Sequence, residues 1–136
     1  MSANERGYQL LLVEPSSVVR SIIVSVAKQL DVVSVHQTGN LATANEWLIQ
    51  RSFDGILLSV DQPGPAMDLL TLIRMGQFRS DQHVPVVALV SPGDKRLAQQ
   101  LTELDVKRTL PVPFRIREVI DVMRAMLPGR TMLNAR

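Results

Sequence analysis

The 136-residue chain contains no cysteine, which excludes disulfides, thiolate zinc sites and thiol catalysis together. Histidine is nearly as scarce. His36 and His83 are the two, and neither has a carboxylate or a second imidazole at metal-ligand spacing, so both read as structural. Aromatic residues make up 4% of the chain against 46% hydrophobic residues overall. A core is therefore built from Val, Leu, Ile, Met and Ala rather than from rings. No apolar run approaches the length of a membrane span, and Met1 to Gly7 is polar, without the apolar stretch of a secretion signal. The expectation is a cytoplasmic protein with one folded unit over 8–127, an N-terminal extension over 1–7 and a C-terminal tail or linker start over 128–136.

Charge is divided unevenly. Residues 1–68 hold 4 Lys+Arg against 7 Asp+Glu, a balance of −3, and residues 69–136 hold 11 against 6, a balance of +5. The basic residues of the second half are scattered and carry no interleaved aromatics. Direct nucleic-acid binding needs several cations converging on one surface, so this pattern argues against it.

Short apolar runs alternate with longer stretches of helical period, the rhythm of βα units. Strands are expected at 9–14, 32–37, 55–59, 84–90 and 107–110. The helix expected over 16–30 buries Val18, Val19, Ile22, Ile23, Val26 and Leu30, with Ser16 or Ser17 as its cap. A second helix, over 41–50, packs Leu41, Ala44, Trp47 and Leu48, with Trp47 read as a packing residue. The loop 60–65, with two prolines and a glycine, reads as non-helical, and a third helix follows over about 66–77 through Leu69, Leu70, Leu72 and Ile73. A fourth helix spans 95–104, with Ser91 read as its cap and Asp94 near its first turn. The fifth, over 115–127, buries Ile116, Val119, Ile120, Met123 and Leu127. Five strands alternating with five helices imply a parallel sheet covered on both faces, with ligands at the carboxyl ends of the strands. Function is then to be sought at Glu14-Pro15, Ser59-Val60-Asp61, Val90-Ser91 and Pro111-Val112-Pro113. The loop Glu14 to Arg20 contains no glycine that would let its backbone approach a phosphate, which argues against a flavin- or nucleotide-dependent enzyme.

The stretches LLLVEP at 10–15, DGILLSVDQPGP at 54–65, VPVVALVS at 84–91 and LPVPF at 110–114, in this order and spacing, resemble the receiver domain of two-component response regulators. The resemblance covers residues 8–127. It implies a flavodoxin-like (βα)5 three-layer sandwich with sheet order 2-1-3-4-5, and a role in signalling.

A receiver of the usual kind holds Mg²⁺ on an acidic pair after strand 1 and on a phosphoacceptor aspartate ending strand 3. By the resemblance the acidic pair falls on Glu14 and Pro15, and the acceptor on Ser59. The family's hydroxyl after strand 4 falls on Val90, its strand-5 lysine on Val112, and its switch aromatic on Thr109. The peptide that the family commonly holds cis falls on Val112-Pro113. Proline and valine offer no side-chain oxygen, and valine no positive charge, so a phosphoryl group would lack most of its counter-charge.

The resulting expectation is an atypical pseudo-receiver, not an enzyme, with no catalytic residue, cofactor or metal. It acts by contact with a protein partner: a kinase, an output domain or a second receiver. The expected face, also that of a homodimer, is the fourth helix, fifth strand and fifth helix. It carries Lys95, Arg96, Gln99, Gln100, Lys107, Arg108, Arg117 and Arg124, with Glu103, Asp105, Glu118 and Asp121 as cross-pairing carboxylates. Two alternatives stay open. One is an unusual phosphoacceptor using Asp61 and Glu14 with Mg²⁺, and the other is the detached input domain of a longer DNA-binding or cyclic-nucleotide regulator.

Overall fold

Strand β1 (Gln9–Val13) is apolar after its first residue, β3 (Gly55–Ser59) is buried at every position and β4 (Val86–Val90) at all but its last. Such strands are stable only with both faces covered. The computed structural model, which describes residues 7–127 other than Val33, Asp61 and Gln62, covers them with helices on both faces. Strands β2 (Ser34–Thr38) and β5 (Arg108–Pro111) form the edges, and the five pair in parallel in the order 2-1-3-4-5. This is the flavodoxin-like (βα)5 fold. The expectations that rest on residues 1–6, on Asp61 and on the tail 128–136 lie outside the described residues.

Helices α2 (Leu41–Gln50), α3 (Pro63–Arg74) and α4 (Lys95–Glu103) lie on one face. There Leu48, Leu70, Ile73 and Leu101 pack on Leu11, Ile56 and Leu58. Helices α1 (Ser17–Gln29) and α5 (Ile116–Met126) lie on the other, where Ile23, Ala27, Val119 and Met123 meet Leu10, Leu12 and Leu57. The alternation of side chains along each strand divides the core in this way. Among the described residues no helix is long and apolar enough to cross a membrane.

Several boundaries depart from expectation. Helix α3 begins at Pro63, so Pro63, Gly64 and Pro65 are helical. The first turn of a helix leaves its N–H groups unpaired in any case, and proline there forfeits no intrahelical bond. Strand β2 begins at Ser34, and Val32 belongs to the end of α1. There Asp31 adopts a positive φ of 65°, its N–H donates to Lys28 O and the Val32 N–H to Ala27 O. Helix α4 ends in the same way, with Asp105 at φ 59° and the Val106 N–H on Leu101 O; α3 does so with Gly76, the residue type that adopts this conformation at least cost. Val32 and Val106 are both buried, so each turn fixes where the next strand begins. The cap of α4 is Asp94, whose carboxylate accepts the Leu97 N–H at 3.0 Å, and not Ser91. Val18, Leu72 and Ile116, expected in buried stripes, are 68%, 40% and 50% exposed. The stripe of α5 instead runs through Val119, Val122, Met123 and Met126, one step around the helix.

The start of β3 is closed by the N-terminal segment. The Tyr8 hydroxyl donates to Asp54 O at 2.9 Å and reaches Met126 O at 3.3 Å. Burial first, and then the Asp54 carboxylate, push its pKa well above the usual 10.0. The space between is free because residue 55 is glycine. A Cβ there would collide with the Tyr8 hydroxyl and lie 2.6 Å from the Met126 sulfur. Gly55→Ala is therefore expected to cost about 1–3 kcal/mol, the usual penalty of forcing atoms into a filled core. Urea denaturation checks it, and an unchanged midpoint would contradict the packing described.

Candidate functional site

At the carboxyl edge of the sheet the register sets five residues in a row. Val13 pairs with Thr38 and with Leu58, so one step further Glu14 lies between Thr38 and Ser59, with its N–H on Thr38 O at 3.0 Å. Ser59 pairs with Leu89, and Val90 follows, accepting the Val112 N–H at 2.9 Å. The row reads Thr38, Glu14, Ser59, Val90, Val112. Of the positions singled out in the sequence, Glu14, Ser59, Val90 and Val112 are thus brought together, whereas Thr109 lies further back in β5 and is exposed. The Val112–Pro113 peptide is cis, as the resemblance implied.

The donors in this row are few. Glu14 is 4% exposed, and one carboxylate oxygen accepts the Ser16 N–H at 2.7 Å. That bond works together with the Ser16 hydroxyl, which accepts the Val19 N–H, to satisfy the first turn of α1. Glu14 is the one carboxylate in the row. Ser59, Val60 and Thr38 are buried, Val90 and Val112 half-buried, and Pro15 exposed. Mg²⁺ takes oxygen ligands, several of them commonly carboxylates or waters, and a single carboxylate in the row, one oxygen of which already accepts the Ser16 N–H, beside proline and valine does not fit it. Among the described residues no group of three or more His, Asp or Glu side chains is placed to hold a metal ion.

A cation that the sequence reading missed sits beside the row. Arg20 on α1 donates through Nη1 to Glu14 O at 2.7 Å and Pro15 O at 3.1 Å, and through Nε to Gln37 Oε1 at 3.3 Å. It ties the end of β1 to β2. Gly39 leaves room for it, since a Cβ there would lie 3.0 Å from Nη1.

The expected interaction face flanks β5. Lys95, Arg96, Gln99 and Gln100 are exposed on α4, Lys107 and Arg108 at the start of β5, and Arg117, Asp121 and Arg124 on α5. Glu118 is differently employed: its carboxylate accepts the Arg115 N–H at 2.7 Å and holds the start of α5, half-buried. His36 packs edge-on to Trp47 and Phe53, at centroid distances of 6.0 and 5.4 Å. Its ring nitrogens meet Gln9 Oε1 at 3.1 Å and Arg51 Nη1 at 3.3 Å. The arginine can only donate, so Nδ1 accepts and the neutral Nε2–H tautomer is the one that fits. His83 lies in the loop before β4 and is exposed.

No protein-family model matches the chain, and no curated protein matches it. Solved structures do. A signal receiver domain of a two-component histidine kinase from Clostridium thermocellum superposes with a TM-score of 0.79 at 13% identity, over 90% of this chain and 98% of that one. An orphan response regulator of H. pylori gives 0.75 at 17%, over 89% and 97%. The chemotaxis protein CheY4 of Vibrio cholerae gives 0.70 at 18%, over 88% and 98%. What these proteins share with the chain is the receiver fold.

Two outcomes follow. Replacing Arg20 by alanine removes charge-assisted bonds to two carbonyls at a half-exposed position and is expected to cost about 1–2 kcal/mol in urea denaturation. Stability is also expected to depend on His36. Burial, and secondarily Arg51, hold its pKa below the ordinary 6.5, so the folded state binds its proton less well than the unfolded chain does. Its contribution is complete above about pH 6.5 and is lost as the pH falls through the lowered value. The melting temperature should therefore drop between about pH 7 and pH 5, and less steeply in His36→Gln.

Proposed function

We propose that the chain is a pseudo-receiver: a signalling domain of receiver fold that works without phosphoryl transfer and acts by contact with another protein. The observation that carries this reading is the chemistry of the row at the carboxyl edge. Phosphoryl transfer to a carboxylate needs an acceptor, a metal held by oxygen ligands, and a cation and hydroxyl to receive the new charge. By the resemblance those places fall to Ser59, to Glu14 and Pro15, to Val112 and to Val90. Serine is a poor nucleophile without a base to activate it, and the one carboxylate among the described residues of the row, Glu14, accepts the Ser16 N–H at the start of α1.

Without a phosphoryl group, the two-state shift of a receiver has no ligand with differential affinity to drive it. The output is then a standing contact, made or broken by the abundance or state of the partner. The face of α4, β5 and α5 is the surface best suited to it, because its exposed basic side chains offer a complementary charge pattern to a kinase, an output domain or a second copy.

The test is a two-dimensional amide NMR titration of the full chain with Mg²⁺ and then beryllofluoride, which mimics a phosphoryl group on a carboxylate. No localised shifts are expected at Glu14, Ser59 or Val90. Saturable shifts there would overturn the reading. So would shifts around Asp61 that vanish in Asp61→Asn, since the acceptor would then lie two residues further along.

A further inference from the structure

At the opposite edge of the sheet, below the carboxyl end of α5, a cavity of about 500 Å³ opens at the amino ends of β4 and β5. The volume is in the range of small-molecule sites, about 300–1,000 Å³. Its apolar wall is formed by Pro85, Val87, Val122 and Met126, the last three continuous with the core between the sheet and α5. Its polar side is strongly biased in charge. Arg74, Lys107 and Arg108 line it against one carboxylate, Asp105, a balance of +2 with His83 neutral.

Arg74 is the built part of this site. Its Nε donates to Leu104 O at 2.8 Å, and both hydrogens of Nη1 are taken, by Gln82 O at 2.9 Å and Val84 O at 2.7 Å. Nη2 makes one long contact, 3.4 Å to Asp105 O, which leaves a second N–H over. Backbone carbonyls thus hold the guanidinium rigidly while supplying no full negative charge. Its burial works against its positive charge, opposed by Asp105 and by Asp81 in the adjoining loop. A guanidinium fixed in this way, with the exposed Lys107 and Arg108 and an apolar wall beside it, is pre-organised for an anion, because little side-chain freedom remains to be lost on binding.

We propose that this cavity binds a small organic anion, an acidic head group carried on an apolar body. The head group meets Arg74, Lys107 and Arg108, and the body lies on Val87, Val122 and Met126. The site lies at the edge away from Ser59 and stands whether or not the carboxyl edge has lost phosphoryl chemistry.

The test uses the full chain and two dyes of nearly the same shape. One is 8-anilinonaphthalene-1-sulfonate, an anion; the other is N-phenyl-1-naphthylamine, which lacks the sulfonate. In amide NMR titrations the sulfonate is expected to give saturable shifts confined to Val86, Val87, Lys107, Arg108, Val122 and Ala125, with the neutral dye binding more weakly. Its dissociation constant should rise about tenfold in the double variant Lys107→Gln/Arg108→Gln, whose two positions are exposed and leave folding undisturbed. Ala125→Trp, at an exposed position on the cavity, should abolish the shifts while the rest of the spectrum is kept. Shifts centred elsewhere, equal binding of the two dyes, or binding indifferent to these substitutions would each overturn the proposal.

Discussion

Strand β3 is all but excluded from water along its whole length, and the rest of the molecule is arranged around that fact. Ile56 and Leu58 face α2, α3 and α4, while Leu57 faces α1 and α5. Both layers must therefore be present for the strand to exist. Its neighbours β1 and β4 inherit the same requirement, and only the edge strands β2 and β5 can afford exposed side chains. The glycine at its start admits the Tyr8 hydroxyl and the Met126 side chain, so the strand is sealed from below. The serine at its end is delivered to the middle of the carboxyl edge. Fold and site are thus one constraint seen at two ends of five residues.

The order of elements was legible because it rests on apolar periodicity, which burial imposes directly. Boundaries were less so, for identifiable reasons. Proline signals a break in a helix interior, but at Pro63 and Pro65 it occupies a turn that has no bonds to lose. Val32 looks like a strand residue by its branched side chain, yet it is spent closing α1, because the turn through Asp31 needs an apolar residue beneath it. Asp31 and Asp105 gave no warning, since aspartate takes the left-handed conformation less readily than the glycine that marks the same turn at Gly76. Val18, Leu72 and Ile116 fall near the edge of their helical stripes, and the angle of the helix on the sheet, which spacing does not contain, decides on which side they lie.

For the carboxyl edge the spacing between strand ends was enough to bring Glu14, Ser59, Val90 and Val112 together, as register requires. It did not reveal what else the edge depends on. Arg20, Arg74 and Tyr8 each act on backbone carbonyls, and a carbonyl is present at every residue, so no residue type marks where a side chain will find one. A few long polar side chains therefore set the two ends of the sheet by contacts that no motif records. The carboxylates of Glu14, Asp94 and Glu118 each accept a backbone N–H at the start of a helix, a structural role that their residue type alone does not announce.

The proline-rich start of α3 has a bearing on the field at the carboxyl edge. The amino end of a helix normally gathers unpaired N–H groups into a patch of positive potential that draws anions. Here Pro63 and Pro65 replace two of those groups with ring carbons, immediately downstream of the strand that ends at Ser59. An oxyanion arriving there would find fewer N–H donors than a helix start usually offers, the Gly64 N–H being the one between the two prolines.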